Sequence, residues 1–251
     1  MPSKLTGKVA VVTGASKGIG AAIARRFGAE GADVVVNYAT DKAGADAVVK
    51  DIQSAGSKAV AVKANVADPK QVDLLFAEAK KAFGKIDILV NNAGVYEFRP
   101  LEQIDEQHFR KHFDLNVLGL LLATKAAVPN INGDGGSIIN LSSIASKTPP
   151  PGSSVYSATK GAVDVLTRSL AQELGAKKIR VNTLAPGVTD TEGVRALPED
   201  GPDFRNYAVS RTPLGRVGKV DDIADAALFL ASDESRWITG EEILVGGGIR
   251  L

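Results

Sequence analysis

The sequence predicts an α/β protein built on a doubly wound parallel sheet of about seven strands, with helices on both faces. Two observations predict this. Short runs of Val, Ile, Leu and Ala alternate along the chain with longer segments of helical period. The runs are continuous and lack polar alternation, which is typical of strands buried on both faces. Regular alternation of strand and helix then indicates right-handed βαβ units.

The strands and helices follow one another without a break. The first predicted strand, residues 8–13, is bounded by Gly7 and Gly14, and the second is the Val-rich run 33–38. The same pattern predicts strands at 58–64, 86–90, 137–141, 179–184 and 242–245, and helices at about 18–30, 41–55, 69–82, 105–129, 155–174 and 221–231. No linker, charge run or repeat divides the chain, so we expect a single domain over residues 1–251.

The composition excludes several classes of function. Lys plus Arg number 30 and Asp plus Glu 29, a net charge of +1 over 251 residues, so binding to nucleic acid is not expected. The chain has no cysteine, which excludes disulfides, Fe–S clusters and Cys-ligated zinc. The apolar stretch 117–123 is far shorter than the about 20 residues of a membrane span. We therefore expect a cytoplasmic protein with no membrane partner.

A glycine-rich turn, Thr13-Gly14-Ala15-Ser16-Lys17-Gly18-Ile19-Gly20, leads from the first strand into the first helix. Glycines let the backbone approach a pyrophosphate, whose charge the N–H groups and dipole of the helix then receive. The spacing G-x3-G-x-G differs from the G-x-G-x-x-G of the commonest dinucleotide fingerprint. A plain tight turn is the alternative.

A tyrosine and a lysine stand four residues apart on the predicted helix 155–174. Tyr156 and Lys160 therefore share one face of that helix. The preceding stretch 149–154 has three prolines and offers a serine N-cap. Ser143 follows the predicted strand 137–141, at the carboxyl edge where ligands bind in such sheets. The alternative is an exposed helix pair and a serine that caps a loop.

These motifs, in this order, resemble the short-chain dehydrogenase/reductase family, in particular its members similar to 3-oxoacyl-[acyl-carrier-protein] reductase and glucose 1-dehydrogenase. The matching segments are Thr13 to Gly20, Asn91-Asn92-Ala93-Gly94, Asn116, Ser143, Tyr156 to Lys160, Pro186-Gly187 and Ile238-Thr239-Gly240. The resemblance implies a Rossmann-type NAD(P)-binding catalytic domain. It also implies hydride transfer between a nicotinamide cofactor and a carbonyl or secondary alcohol substrate, such as a 3-oxoacyl thioester, a ketone or a sugar.

Chemistry and resemblance together assign four catalytic residues. Tyr156 is expected to act as general acid and base, and Ser143 to donate a hydrogen bond to the substrate oxygen. Lys160, together with an oxidised nicotinamide, is expected to lower the Tyr156 pKa and, by resemblance, to hold the nicotinamide ribose. By resemblance Asn116 holds a proton-relay water, and the alternative is an amide satisfied in the core. A non-catalytic sensor or scaffold of the same fold is the alternative function; such a protein is expected to have lost Tyr156, Lys160 or Ser143.

The resemblance also implies where the cofactor binds: adenine near Asn65 and Val66, the adenosine side at 91–94, and the nicotinamide amide at 186–189. The expected cofactor-binding residues are Gly14, Ser16, Lys17, Gly18, Ile19, Gly20, Asn37, Tyr38, Thr40, Asn65, Val66, Asn92, Ala93, Gly94, Tyr156, Lys160, Pro186, Gly187, Val188 and Thr189.

The end of the second strand favours NADP(H), with NAD(H) also usable. An Asp or Glu at this point binds the ribose 2′-hydroxyl and repels a 2′-phosphate, but here the first acidic residue is Asp41. Asn37 and Thr40 can donate hydrogen bonds without adding negative charge. Lys17 resembles the basic residue that NADP-dependent members place beside the phosphate.

Three further features complete the expectations. Residues 190–215 have no clear period and are expected to form a substrate lid. His108 and His112 have a spacing that can hold zinc, but Phe109 stands where an H-E-x-x-H motif has Glu, so a solvated helix face and no metal are expected.

Residues 106–128 and 155–174 are apolar nearly all round, which favours a subunit interface over a thick core. By resemblance, the assembly is a homotetramer with D2 symmetry.

Overall fold

A parallel sheet of seven strands forms the centre of the protein in this computed structural model, which describes residues 3–195 and 202–249. The strands are β1 Val9–Val12, β2 Asp33–Tyr38, β3 Ala59–Lys63, β4 Ile88–Asn91, β5 Gly136–Leu141, β6 Ile179–Pro186, β7 Thr189–Asp190, β8 Gly218–Lys219 and β9 Glu242–Val245. The sheet order is β3-β2-β1-β4-β5-β6-β9, and all its neighbours are parallel. Strands β7 and β8 form a separate parallel pair.

Helices cover both faces of the sheet. They are α1 Gly18–Ala29, α2 Lys42–Ser54, α3 Pro69–Phe83, α4 Glu106–Phe113, α5 Gly119–Ala127, α6 Ser154–Leu174, α7 Glu192–Arg195, α8 Pro202–Ser210 and α9 Val220–Ala231. Side chains of α1, α2 and α9 pack in one apolar core, and those of α3, α5 and α6 in a second. Ala10 and Val12 of β1 belong to the first core and Val11 to the second, because successive side chains of a strand point to opposite faces. The predicted fold class is confirmed.

The strand order places a ligand crevice at a defined point. The chain moves outward in one direction from β1 to β3 and then starts again at β4 on the other side of β1. Loops leaving β1 and β4 therefore diverge at the carboxyl edge of the sheet, which is where such folds bind ligands. The glycine turn between β1 and α1 lies at this edge.

Two predicted segments differ in the structure. The single helix expected over 105–129 is divided into α4, a π-helical turn at Asp114–Leu118, and α5. Such π turns occur frequently at functional sites. The segment 190–215 is not irregular throughout, since it includes α7 and α8; its residues 196–201 lie outside the described part of the chain. Within the described ranges, no helix has both the length and the apolar character that crossing a membrane requires.

Candidate active site

A cavity of about 1500 Å3 opens along the carboxyl edge of the sheet. Its lining includes most of the residues expected from the sequence: Gly14, Ser16, Lys17, Gly18, Ile19, Asn37, Thr40, Asn65, Val66, Asn92, Ala93, Gly94, Ser143, Tyr156, Lys160, Pro186, Gly187, Val188 and Thr189. Gly20, Tyr38 and Asn116 are buried and are not part of this lining. Tyr38 packs in the apolar core beside α2, so its expected contact with a cofactor has no support in the geometry.

The glycine turn requires glycine at Gly14 and Gly20 for steric reasons. Gly14 has φ +62°, and a Cβ there would lie 2.8 Å from the Ala93 Cα. A Cβ on Gly20 would overlap the Asn92 side-chain amide. That amide donates to the carbonyls of Thr13 and Gly14, each at 2.9 Å, and so joins the loops that follow β1 and β4. Gly20 therefore acts from beneath the turn and not at the cavity surface.

The N-terminus of α1 is suited to an anion. Lys17 occupies its N-cap position without a side-chain capping bond, and the first turn contains no acidic residue. Lys17 and Gly18 both line the cavity. Uncapped N–H groups and the positive end of the helix dipole attract a phosphate. The residues present thus fit the pyrophosphate of a dinucleotide.

Asn37 has a structural role that the sequence analysis did not anticipate. Its side chain is buried, and Nδ2 donates to the carbonyls of Val62 at 3.2 Å and Ala64 at 3.0 Å. Its Oδ1 accepts the N–H of Gly14 at 3.1 Å. The expectation that Asn37 donates to a 2′-phosphate is therefore wrong, because these bonds hold the glycine turn to β2 and β3.

The rim of the cavity beyond β2 carries the Thr40 hydroxyl and the Asp41 carboxylate. Thr40 is exposed there. Asp41 is the N-cap of α2, and its Oδ1 accepts the N–H of Gly44 at 2.9 Å. Both residues line the cavity, so a carboxylate lies close to the expected position of the ribose.

Tyr156, Ser143 and Lys160 lie together at the other end of the cavity. The Ser143 side chain, just beyond β5, lies close enough to the Tyr156 hydroxyl to affect its pKa. Lys160, one turn after Tyr156 on α6, lies with its Nζ 5.7 Å from the centre of the Tyr156 ring. This Nζ donates to the Leu141 carbonyl at 2.7 Å. The three side chains therefore converge from β5 and α6.

Burial controls the acidity of this group. It raises the pKa of Tyr156 above its ordinary value, against a smaller lowering of that pKa by the nearby Ser143 hydroxyl. It lowers the pKa of Lys160 to about 8, while the Asp164 carboxylate acts in the opposite direction. The lowering of the Tyr156 pKa by Lys160 together with an oxidised nicotinamide stays a prediction; in this structure the ammonium group donates to the Leu141 carbonyl.

Asn116 lies in the π turn and is buried. Its Oδ1 accepts the N–H of Val95 at 2.8 Å, and its Nδ2 donates to the Val95 carbonyl at 2.9 Å and to the Thr159 hydroxyl at 3.1 Å. These bonds match the alternative of an amide satisfied in the core. They also fasten the segment after β4 to α6.

The serine cap expected for α6 is absent. Ser153 occupies the N-cap position but makes no capping bond. Its hydroxyl donates to the Pro150 carbonyl at 2.6 Å and bonds to the Ser157 hydroxyl at 2.8 Å. The serine therefore stabilises the loop before the helix.

The two histidines do not form a solvated helix face, so that expectation is wrong. His108 and His112 are 2% and 0% exposed, with ring centres 4.4 Å apart. The Nδ1 of His112 donates to the His108 carbonyl at 2.9 Å, and its Nε2 accepts the N–H of Glu97 at 3.1 Å. Both nitrogens of this ring are thus engaged inside the protein. Across the described residues, no group of three or more His, Cys, Asp or Glu side chains could hold a metal ion.

The aromatic side chains beside Tyr156 were not among the residues expected from the sequence. Tyr96 and Phe98 both line the cavity and contact the Tyr156 ring. Their position directly after Asn92-Ala93-Gly94, at the carboxyl end of β4, was the available signal. Aromatic residues at that edge of a parallel sheet can reach the ligand crevice.

Comparisons with known proteins agree with this site. A family model described as "Enoyl-(Acyl carrier protein) reductase" matches residues 14–250. An uncharacterized oxidoreductase of Methylorubrum extorquens is 54% identical over 99% of this chain and 100% of its own length. The 3beta-hydroxysteroid dehydrogenase 1 of Eggerthella lenta is 41% identical over 100% of this chain and 97% of its own.

A solved structure has the same architecture. The short-chain dehydrogenase of Burkholderia cenocepacia, crystallised in complex with NADP, is 38% identical and covers 98% of each chain with a TM-score of 0.91. Sequence match, fold and the arrangement of the cavity point to the same group of enzymes. The chain belongs to the short-chain dehydrogenase/reductase family and is an oxidoreductase.

Proposed function

We propose that this protein transfers a hydride between NADP(H) and a small carbonyl or secondary alcohol substrate, with Tyr156 as general acid and base. The observation that supports this most is the convergence of Ser143, Tyr156 and Lys160 on one cavity that the uncapped N-terminus of α1 also borders. Relatives named for dehydrogenation of an alcohol, and a neighbour that binds NADP, support the same reaction class.

Each group of the chain has a defined role in this proposal. When bound, the cofactor supplies the hydride chemistry. In reduction, Tyr156 donates its phenolic proton to the carbonyl oxygen, and in oxidation it accepts the proton of the alcohol. Ser143 donates a hydrogen bond to that oxygen and stabilises the charge that develops on it. Lys160 holds the ribose hydroxyls. Asn116 fixes the segment after β4 to α6, the helix that carries Lys160.

The cofactor spans the rest of the cavity. We assign the pyrophosphate to the turn 14–20, adenine to Asn65 and Val66, the adenosine side to Asn92, Ala93 and Gly94, and the nicotinamide amide to 186–189. Residues 1–251 form one catalytic domain in this proposal. The segment 190–215 covers the substrate, and its part 196–201 lies outside the described residues.

A test of the function separates an enzyme from a sensor of the same fold. Purified protein is mixed with NADPH and a panel of ketones, and nicotinamide fluorescence is followed. We expect saturable cofactor binding and consumption of NADPH with at least one ketone. Cofactor binding without consumption on any member, and without NADP+ reduction by the matching alcohols, would favour the sensor.

We also propose that the protein is a homotetramer. The surface formed by α4, the π turn and α6 exposes Phe109 at 46%, Leu118 at 42% and Val165 at 57%. Apolar side chains clustered at one surface are typical of subunit contacts. Light scattering at micromolar concentration should give about four times the 26.1 kDa of one chain. Val165→Lys should shift the protein to smaller species, and a wild-type mass near 26.1 kDa would contradict the proposal.

A further inference from the structure

The segment after β4 forms a fixed wall beside Tyr156. Alternate residues of the segment donate their backbone N–H groups into the protein. The bonds are Val95 to Asn116 Oδ1 at 2.8 Å, Glu97 to His112 Nε2 at 3.1 Å, and Arg99 to the Gly152 carbonyl at 2.9 Å. The side chains of the residues between them, Tyr96 and Phe98, face the cavity. Three anchored N–H groups thus hold two aromatic side chains in place.

Tyr96 and Phe98 form an aromatic platform around the catalytic tyrosine. The Tyr96 ring lies edge-on to the Tyr156 ring, with centres 6.4 Å apart at 71°, and the Phe98 ring is tilted at 45° with centres 5.9 Å apart. They remain 36% and 42% exposed. Rings with free faces offer large, rigid apolar contact to a flat ligand. The surface next to the reacting hydroxyl therefore suits an apolar ring.

The loop before α6 continues this apolar surface. Pro149, Pro150 and Pro151 line the cavity together with Gly152, whose carbonyl is bonded to Arg99 of the wall. Proline has a fixed φ and no N–H group, so this loop is stiff and offers three fewer backbone donors than other residues would. The loop therefore offers a stiff and apolar face to a ligand.

The positive charge of the wall is already neutralised by carboxylates. Of the described lining residues, Lys17, Arg99 and Lys160 are cationic, and only Arg99 belongs to the wall. The Arg99 guanidinium contacts Glu97 at 2.6 Å and Asp105 at 3.3 Å. An incoming carboxylate or phosphate would have to displace these carboxylates.

The Glu97 carboxylate is itself held as an anion. Hydrogen bonds from Lys111 and Arg99 lower the pKa of Glu97 to about 2. A further carboxylate, Glu192, lines the cavity close enough to Tyr96 to raise the pKa of that phenol, although burial is the larger cause. The wall is therefore unfavourable for an anionic substrate.

We infer that the substrate is an uncharged compound whose carbonyl belongs to an apolar ring, seated against Tyr96 and Phe98. The site discriminates against carboxylates and against thioesters of phosphate-bearing carriers. This inference rests on the proposed function for its chemistry, and it adds the substrate class and the two residues that select it.

The first test compares carbonyl compounds of equal carbon number. The probes are a decalone, a linear decanone and an oxodecanoate, with an oxodecanoyl-coenzyme A thioester as the phosphate-bearing form. We expect kcat/KM for the decalone to exceed that for both anionic probes by more than ~10-fold, the usual size of discrimination by one pocket contact. Equal or better turnover of either anionic probe would overturn the inference.

Variants assign this selection to the wall. Phe98→Ala should raise KM for the decalone by about 3–10-fold, as expected for one lost aromatic contact, and change KM for the linear decanone less. Trp237→Ala removes an exposed ring that lies outside both the cavity lining and the surface assigned to the subunit contact, and it is the matched control. Glu97→Gln removes the charge of one of the two carboxylates on Arg99 and should raise kcat/KM for the oxodecanoate, with the decalone little changed. If Phe98→Ala does not weaken the decalone selectively and Glu97→Gln does not favour the oxodecanoate selectively, the assignment of substrate selection to the wall is contradicted.

A binding measurement separates this inference from the proposed function. Calorimetry of the decalone with the Tyr156→Phe variant detects the ring site without turnover. If wild-type protein reduces the oxodecanoate but the decalone neither binds nor reacts, the function stands and the inference fails. If the decalone binds and no probe is reduced, the inference stands and the function fails.

Discussion

Replacing Tyr156 by Phe is expected to lower kcat by at least ~10²-fold, the usual effect of losing a proton-transfer group. The change removes one hydroxyl and keeps the ring, so the contacts with Tyr96 and Phe98 remain. Since the proposed function assigns the proton exchange with the substrate to this hydroxyl, the loss should appear in turnover. The Kd for NADPH, measured by fluorescence titration, should stay nearly unchanged.

A matched control is available in Tyr38→Phe. It removes the same atom from a tyrosine that is 7% exposed and packs away from the cavity. We expect this variant to retain its turnover, which separates proton transfer from a general effect of losing a hydroxyl. Retention of most activity by the Tyr156→Phe variant would show that another group acts as the acid.

The second large effect concerns the cofactor. The kcat/KM ratio for NADPH over NADH should exceed ~10, because charge-assisted hydrogen bonds contribute roughly 1.5–3 kcal/mol each, or about 10–150-fold in affinity. The groups at the rim that favour a 2′-phosphate are the exposed Lys17 and Thr40, since Asn37 is engaged with Val62 and Ala64. Lys17→Ala should reduce the ratio, measured with one ketone and both cofactors.

Two further variants sharpen this test. Lys50→Ala removes an exposed lysine of α2 outside the cavity lining and should leave the ratio unchanged. Asp41→Asn removes the carboxylate at the rim, keeps an oxygen that can cap α2, and should raise the preference for NADPH. Equal efficiency with both cofactors, or preference for NADH, would contradict the assignment and indicate that Asp41 binds the ribose.

The cofactor end illustrates why the sequence alone was insufficient. From the sequence, the side-chain amide of Asn37 was expected to donate to a ligand, because the residue lies near the end of an apolar strand beside the glycine turn. The edge strand β3 lies alongside, and the carbonyls of Val62 in β3 and of Ala64 just after it accept both donor hydrogens of the amide. A sequence pattern identifies which groups a side chain has but not which of them a neighbouring strand consumes.

The histidines show the same limit on a helix. The pair His108 and His112 lies on a helix whose mean hydropathy is low, which is typical of a solvated face. In the fold, the segment after β4 crosses this face and supplies the Glu97 N–H that His112 accepts. The wall of the substrate site thus depends on residues that have no local signature.

The sequence by itself determined the sheet, its parallel strands and the segments that line the cavity, because apolar runs, helical period and glycine spacing are local properties of the chain. The tertiary structure alone decided the π turn at Asp114–Leu118, the bonding of Asn37 and Asn116, and the platform of Tyr96 and Phe98. It also placed the Lys160 ammonium on the Leu141 carbonyl. These features depend on which backbone groups meet across different elements, and burial then sets the pKa values of Tyr156 and Lys160.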